Sequence, residues 1–123
     1  MARVLIVDDA ALVREYHQQI VEPLGAEVEE AGNGVEAMEK ALSADYDLYL
    51  VDINMPQMDG LSLTRELRRR PEIRQSPIVV VSTEAEKRDE RAALSAGANL
   101  YLIKPVVPEA LAGYVAILMG GCG

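Results

Sequence analysis

Short apolar runs and helix-period segments take turns along this chain. "RVLIV" (3–7) is β-branched and too short for a helix, so it reads as a strand buried on both faces. Residues 10–24 put Val13, Tyr16, Ile20 and Leu24 on one helical face, with Gly25 as the stop. "EVEEA" (27–31) alternates and predicts a weaker strand. "NG" then opens a helix with Val35, Met38 and Leu42 on one side. "DLYLV" (47–51) predicts a third strand, and residues 61–70 a short helix running into Pro71. "PIVVVS" (77–82) is the clearest strand, 84–96 is a helix charged on its outside and closing at Gly97, and "NLYLI" (99–103) is the fifth strand. Pro108 starts a last helix with Leu111, Tyr114, Val115 and Leu118 at helical spacing, and "GG" ends it.

The order is βαβαβαβαβα. Buried runs alternating with amphipathic helices predict an α/β fold, a five-stranded parallel sheet covered on both faces with right-handed crossovers. A length of 123 residues fits one domain, 1–123, with one core. Ligands of such sheets bind beyond the carboxyl ends of the strands, so the residues just past each strand carry the chemistry.

Asp8 and Asp9 follow the first strand, and Asp52 with Asn54 follow the third. The fourth ends on Ser82, Thr83 and Glu84, and the fifth is followed by Lys104 and Pro105. The second strand ends in the uncharged "AGNG", which places it at the rim of the sheet.

Three carboxylates at one edge repel one another, and a hard divalent cation removes the conflict. Mg²⁺ takes oxygen ligands from one or two carboxylates and keeps several waters. Asp8, Asp9 and Asp52 suit it, with a backbone carbonyl near Asn54 as a further ligand. A lysine and a hydroxyl facing that metal point to a phosphoryl group, with Lys104 as a point charge and Ser82 as a hydrogen-bond donor. Asp52 is then either a ligand or a nucleophile that forms an aspartyl phosphate. Any one of these residues alone is an ordinary solvated strand end; their occurrence at four of five strand ends is the signal. Zinc is disfavoured because the lone His17 sits within a helix, where it reads as a surface residue.

Charge narrows the partners. Twelve basic and 20 acidic residues give −8, which disfavours binding to nucleic-acid backbones. The one basic cluster, Arg65, Arg68, Arg69, Arg70 and Arg74, reads as cations at a helix C-terminus, favoured by the dipole. No apolar run approaches the roughly 18 residues of a membrane span, and "MARVLIVDD" does not read as a signal peptide. A cytoplasmic protein without membrane contact is the expectation. The single cysteine, Cys122, excludes an internal disulfide framework and reads as a frayed thiol without a role.

With these residues placed, residues 3 to about 119 resemble the CheY-like receiver domains of two-component response regulators (boundaries of this kind are soft by a few residues). The motifs that carry the resemblance are "VLIVDD", "LVDINMPQMDG", "PIVVVST" and "AGANLYLIKP". It implies a flavodoxin-like doubly wound sheet of order 2-1-3-4-5, an order that belongs to the family and not to the spacing. It implies Asp52 as phosphoacceptor, Asp9 binding Mg²⁺ directly, Asp8 mainly through water and Asn54 through its backbone carbonyl. Ser82 would be the switch hydroxyl, Lys104 the phosphoryl-binding lysine and Tyr101 the aromatic that changes rotamer. The Lys104–Pro105 bond would be cis. Val106 stands where an aromatic often follows Lys-Pro, and Ala10 where many members have serine, so partner contacts or phosphate lifetime would differ.

The resemblance implies a sensor histidine kinase as phosphodonor and an output protein as reader. Asn54 and Glu84 would flank the water that hydrolyses the acyl phosphate. A chemotaxis regulator acting on the flagellar motor switch ranks first, a single-domain phosphorelay shuttle second, and a receiver cut from a longer regulator third. The output face would comprise the fourth helix, fifth strand and last helix, with Lys87, Glu90, Arg91, Ala112 and Met119 exposed and Tyr101 turning in from solvent. From another class, a Mg²⁺-dependent aspartyl-nucleophile phosphohydrolase would need a second acid where Asn54 stands, and a cap. A flavodoxin-like redox module would need a phosphate-cradling loop in place of "DD", and flavin-stacking aromatics; the chain has no Trp or Phe.

Overall fold

The computed structural model describes residues 1–120, so Cys122 lies outside the described residues. Five strands, β1 (Arg3–Val7), β2 (Glu27–Ala31), β3 (Leu48–Asp52), β4 (Ile78–Ser82) and β5 (Leu100–Ile103), form one sheet. The order is β2-β1-β3-β4-β5 and every pairing is parallel. Helices α1 (Ala11–Val21), α2 (Gly34–Ser43), α3 (Gly60–Arg69), α4 (Lys87–Ala96) and α5 (Pro108–Leu118) connect and close them, with a 3₁₀ turn at Glu22–Leu24 after α1. The expected flavodoxin-like architecture is observed, with β2 at one rim.

The central strands are buried on both faces, which is why they read as continuous apolar runs. Side chains alternate: Leu5, Val7, Tyr49, Val51, Ile78 and Val80 pack with Leu63 and Leu67 of α3 and Ala37 and Ala41 of α2. Val4, Ile6, Leu48, Leu50, Val79 and Val81 pack on the other face with Val21, Leu111 and Val115. The register pairs Val7 with Val51, Asp52 with Val81 and Ser82 with Ile103, so the ends of four strands share one rim. Among the described residues, no helix is long and apolar enough to cross a membrane.

Several inward faces differ from the sequence expectation. On α1, His17 and Val21 are buried while Tyr16 is exposed, so the helix is rotated from the expected face and His17 is not a surface residue. On α2, Val35 and Leu42 face solvent, and Gly34, Ala37, Met38 and Ala41 face inward. Small side chains let that helix approach the sheet closely. On α5, Leu111 and Val115 are buried and Tyr114 is not; Met119, expected on the surface, belongs to the core.

Caps set the helix starts near the rim. Asn33 accepts from the Glu36 amide while Glu36 accepts from the Gly32 amide, a reciprocal cap for α2. Asp59 accepts from the Ser62 amide and starts α3. Helix α4 begins at Lys87, three residues later than expected, because 83–86 form a loop tied to Ser82. It ends where Gly97 adopts a φ of 117°.

Candidate functional site

The rim brings together the residues that the strand ends supply. Asp8 and Asp52 are buried and Asp9 is exposed, and a carboxylate oxygen from each lies within 4.8 Å of the others. Lys104 reaches in from the end of β5, placing Nζ 2.8 Å from Asp52 Oδ1 and 3.1 Å from Asp8 Oδ2. The Lys104–Pro105 peptide is cis, as expected.

Each acid is held differently. The Asp8 amide extends the ladder to the Ala31 carbonyl at 3.1 Å, and its Oδ1 accepts from the Ala10 amide at 2.9 Å. Asp52 closes β3, and the following Ile53 amide still donates to Val81. Gly60 lies directly against the Asp52 peptide: a Cβ there would sit 2.3 Å from the Asp52 carbonyl oxygen. The loop between β3 and α3 carries Gln57 and Met58 at φ of 49° and 73°, left-handed backbone in non-glycine residues. Met58 in turn packs on Gly34, where a Cβ would stand 2.3 Å from the Met58 carbonyl oxygen. The loop carrying Asn54, an exposed residue, is thereby wedged between α2 and α3.

Burial pushes the Asp52 carboxyl above its ordinary value; the Lys104 hydrogen bond opposes this, and the Asp8 and Asp9 charges reinforce it. Burial pulls the Lys104 ammonium down, yet its bonds to Asp52 and Asp8 and their charges outweigh that, leaving it raised. One ammonium thus faces three acids, and the site retains an excess of negative charge. Its donor set is all hard oxygen, which fits Mg²⁺ and not a softer metal.

Ser82 is fully buried, and its Oγ accepts from the Glu84 amide at 3.0 Å. Tyr101 is also buried, and its hydroxyl donates to the Glu84 carbonyl at 2.6 Å. Its ring therefore already lies inward, and the expected outward starting position is not the one observed. Three residues with a hand in the site were not singled out from sequence: Gly34, Gly60 and Arg14, whose Nη1 donates to the Asp8 carbonyl at 2.6 Å. "DG" at 59–60 was the available signal for Gly60; nothing local marks Arg14.

Known proteins resemble this chain in sequence and in fold. The chain is 37% identical over 120 residues to the chemotaxis protein CheY1 of Helicobacter pylori, covering 96% of this chain and 97% of that one. A match of 43% over 102 residues to the gliding motility regulatory protein of Myxococcus xanthus covers 83% of this chain but only 13% of that protein. Among solved structures, the chemotaxis protein CheY4 of Vibrio cholerae superposes with a TM-score of 0.89 at 33% identity, covering 96% of this chain and 98% of that one. The receiver domain of a sensor histidine kinase from Pseudomonas aeruginosa, described with a magnesium ion coordinated in its active-site cleft, gives 0.87 at 30% identity, covering 97% and 98%. Residues 4–116 match the response regulator receiver domain, and the chain belongs to that family.

Proposed function

We propose that this chain is a phosphoacceptor response regulator that takes a phosphoryl group on Asp52 and signals by phosphorylation-dependent protein binding. The carrying observation is the Asp52 carboxylate at the end of a central strand, 2.8 Å from Lys104 Nζ and grouped with Asp8 and Asp9.

A sensor histidine kinase presents a phosphohistidine. Asp52 oxygen attacks phosphorus, the P–N bond breaks, and an acyl phosphate forms while the histidine nitrogen takes up a proton. Lys104 neutralises the phosphoryl oxygens and holds them in place. Asp8, Asp9, Asp52 and the Asn54 backbone carbonyl would hold Mg²⁺, which would supply further positive charge against those oxygens. In the reset step water attacks phosphorus, the Asp52 carboxylate is regenerated and inorganic phosphate leaves. Asn54 and Glu84 are both exposed at the rim and flank the approach of that water. The chain catalyses only its own phosphorylation and dephosphorylation. This places it with signalling proteins rather than with phosphohydrolases, since Asn54 offers no second acid.

Ser82 and Tyr101 form the output switch. A Ser82 hydroxyl drawn towards a phosphoryl oxygen pulls on the Glu84 peptide, whose carbonyl holds Tyr101. The readout lies on α4, β5 and α5, where Ile103, Tyr114 and Ile117, with Val107 just before α5, are exposed apolar residues in place of the expected Met119. Full-length similarity to CheY1 favours a single-domain cytoplasmic chemotaxis regulator acting on a flagellar motor switch. The higher identity to one segment of the gliding motility regulator favours, as a second reading, a receiver within a longer regulator.

Incubation with Mg²⁺ and acetyl phosphate, read by intact mass, tests the phosphoacceptor. One phosphoryl group should appear on the wild type and none on Asp52→Asn. Undiminished labelling of that variant refutes the assignment.

A further inference from the structure

We infer that Arg14 is a positioning residue for the metal-binding acids, its guanidinium fixing the peptide that joins Asp8 to Asp9. The inference rests on the reading of Asp8 and Asp9 as Mg²⁺ ligands.

Arg14 projects from α1 with its side chain mostly buried, and bridges two strands. Its Nη1 donates to the Asp8 carbonyl at 2.6 Å, and its Nε donates to Glu30 Oε1 at 3.0 Å. Glu30 is itself anchored, because it lies in β2 paired with Ile6 and its carbonyl accepts from Lys40 Nζ. The guanidinium is therefore fixed on one side and grips the Asp8 carbonyl on the other.

That carbonyl belongs to the peptide leading into Asp9. The last β1–β2 ladder bond is the one from the Asp8 amide to Ala31. Beyond it, Asp8 still has Ala10 and Lys104 on its carboxylate. Asp9 is exposed, and among the described residues its carboxylate has no hydrogen-bond or ion-pair partner. The course of its backbone therefore sets where it projects, and two side chains hold that backbone: Asp8 Oδ1 accepts from the Ala10 amide after it, and Arg14 grips the Asp8 carbonyl before it. Loss of a group that orients ligands from behind in this way typically weakens metal binding by about 10- to 100-fold.

Charge and position make opposite demands here. A guanidinium beside an acidic site repels a cation, and Glu30 offsets that only in part. Were Arg14 felt through charge alone, its removal would tighten Mg²⁺ binding. As a positioning residue, its removal weakens binding.

Calorimetric titration of MgCl₂ into the metal-free protein, supported by backbone amide NMR shifts, separates the two. Arg14→Ala should bind Mg²⁺ about ten-fold more weakly than wild type. Arg14→Lys keeps the charge but cannot hold the carbonyl and Glu30 together, so it should also bind more weakly. Urea unfolding without Mg²⁺ identifies any variant that has lost the fold, and Arg14→Lys decides if Arg14→Ala does. Wild-type or tighter affinity in a folded variant overturns the inference while leaving the metal site intact. A wild-type protein that fails to bind Mg²⁺ removes the metal reading and the inference with it.

Discussion

The Tyr101 hydroxyl donates to the Glu84 carbonyl at 2.6 Å, and the Glu84 amide donates to Ser82 Oγ at 3.0 Å. One peptide segment therefore connects a buried hydroxyl at the acidic site to an aromatic ring on β5. Tyr101→Phe keeps the ring's volume and removes only the hydroxyl. Stability should fall by about 1 kcal/mol, the net worth of one hydrogen bond. Amide exchange of residues 83–86 should quicken in the same variant. Unchanged exchange there would mean that Tyr101 does not hold the loop.

Two glycines leave no room for a side chain beside the site. A Cβ at Gly60 would meet the Asp52 carbonyl oxygen at 2.3 Å, and one at Gly34 would meet the Met58 carbonyl oxygen at 2.3 Å. Both obstacles are backbone, which cannot swing aside as a long side chain would. Gly34→Ala and Gly60→Ala should each lose about 1–3 kcal/mol of stability, the range for overpacking. Gly60→Ala should also slow acetyl-phosphate labelling of Asp52, whereas Ala at exposed Gly113, with open space around it, should do neither. Urea midpoints and labelling rates check both statements.

The strands were legible because β1, β3 and β4 are buried on both faces and read as unbroken apolar runs. The site was legible because each run stops abruptly on a charge or hydroxyl: Asp8, Asp52 and Ser82. Helix faces were less so. Val35 and Leu42 have helical spacing but face solvent on α2, and the inward positions beside Met38 are held by Ala37 and Ala41, which carry almost no hydrophobic signal. Arg68 was read as a dipole-favoured cation. It does lie in the last turn of α3, and in addition its Nε donates to the Gly97 carbonyl at 2.9 Å and its Nη2 to Asn99 Oδ1 at 2.8 Å, so it ties α3 to the start of β5. Such partners lie some thirty positions away in the chain, beyond any local pattern. Tyr101 falls on β5 as the strand pattern predicts, but its rotamer depends on a carbonyl in a loop that no periodicity describes.

His17 gives the protein a pH dependence. Burial lowers its pKa below the ordinary 6.5; Asp8 works against this, and Lys104 adds to it. The unfolded chain therefore takes up a proton at a pH where the folded one does not. Stability is fully present above the ordinary value and is lost as pH falls below it. Between about pH 7.5 and about pH 5.5 the urea midpoint of the wild type should drop. The drop should be smaller in His17→Leu, which keeps the apolar volume and has nothing to titrate. Equal drops in the two proteins would assign the effect to other groups.

The acids and the lysine should respond to substitution with opposite signs. The Asp52 carboxyl is raised in the folded protein, chiefly by burial, so its ionised form opposes folding at neutral pH. Stability from this group is full below the unfolded carboxyl value and is lost as pH rises through the folded one. Asp52→Asn removes that penalty and keeps an oxygen for Lys104. Its metal-free melting temperature at neutral pH should exceed that of the wild type, and that margin should narrow on acidification. Lys104→Met does the reverse, leaving the buried Asp8 and Asp52 without their cation. The loss should be about 3 kcal/mol, the low end for stripping one partner from a buried pair, because Lys104 is partly exposed. Added Mg²⁺ should stabilise Lys104→Met more than the wild type, since it replaces the missing charge. The two substitutions together should lose less than their separate effects predict, because Asp52→Asn removes part of the repulsion that Lys104→Met uncovers. Thermal melts with a chelator and with Mg²⁺ measure all four proteins. A Lys104→Met variant as stable as the wild type in chelator would show that the ammonium does not hold the acids together.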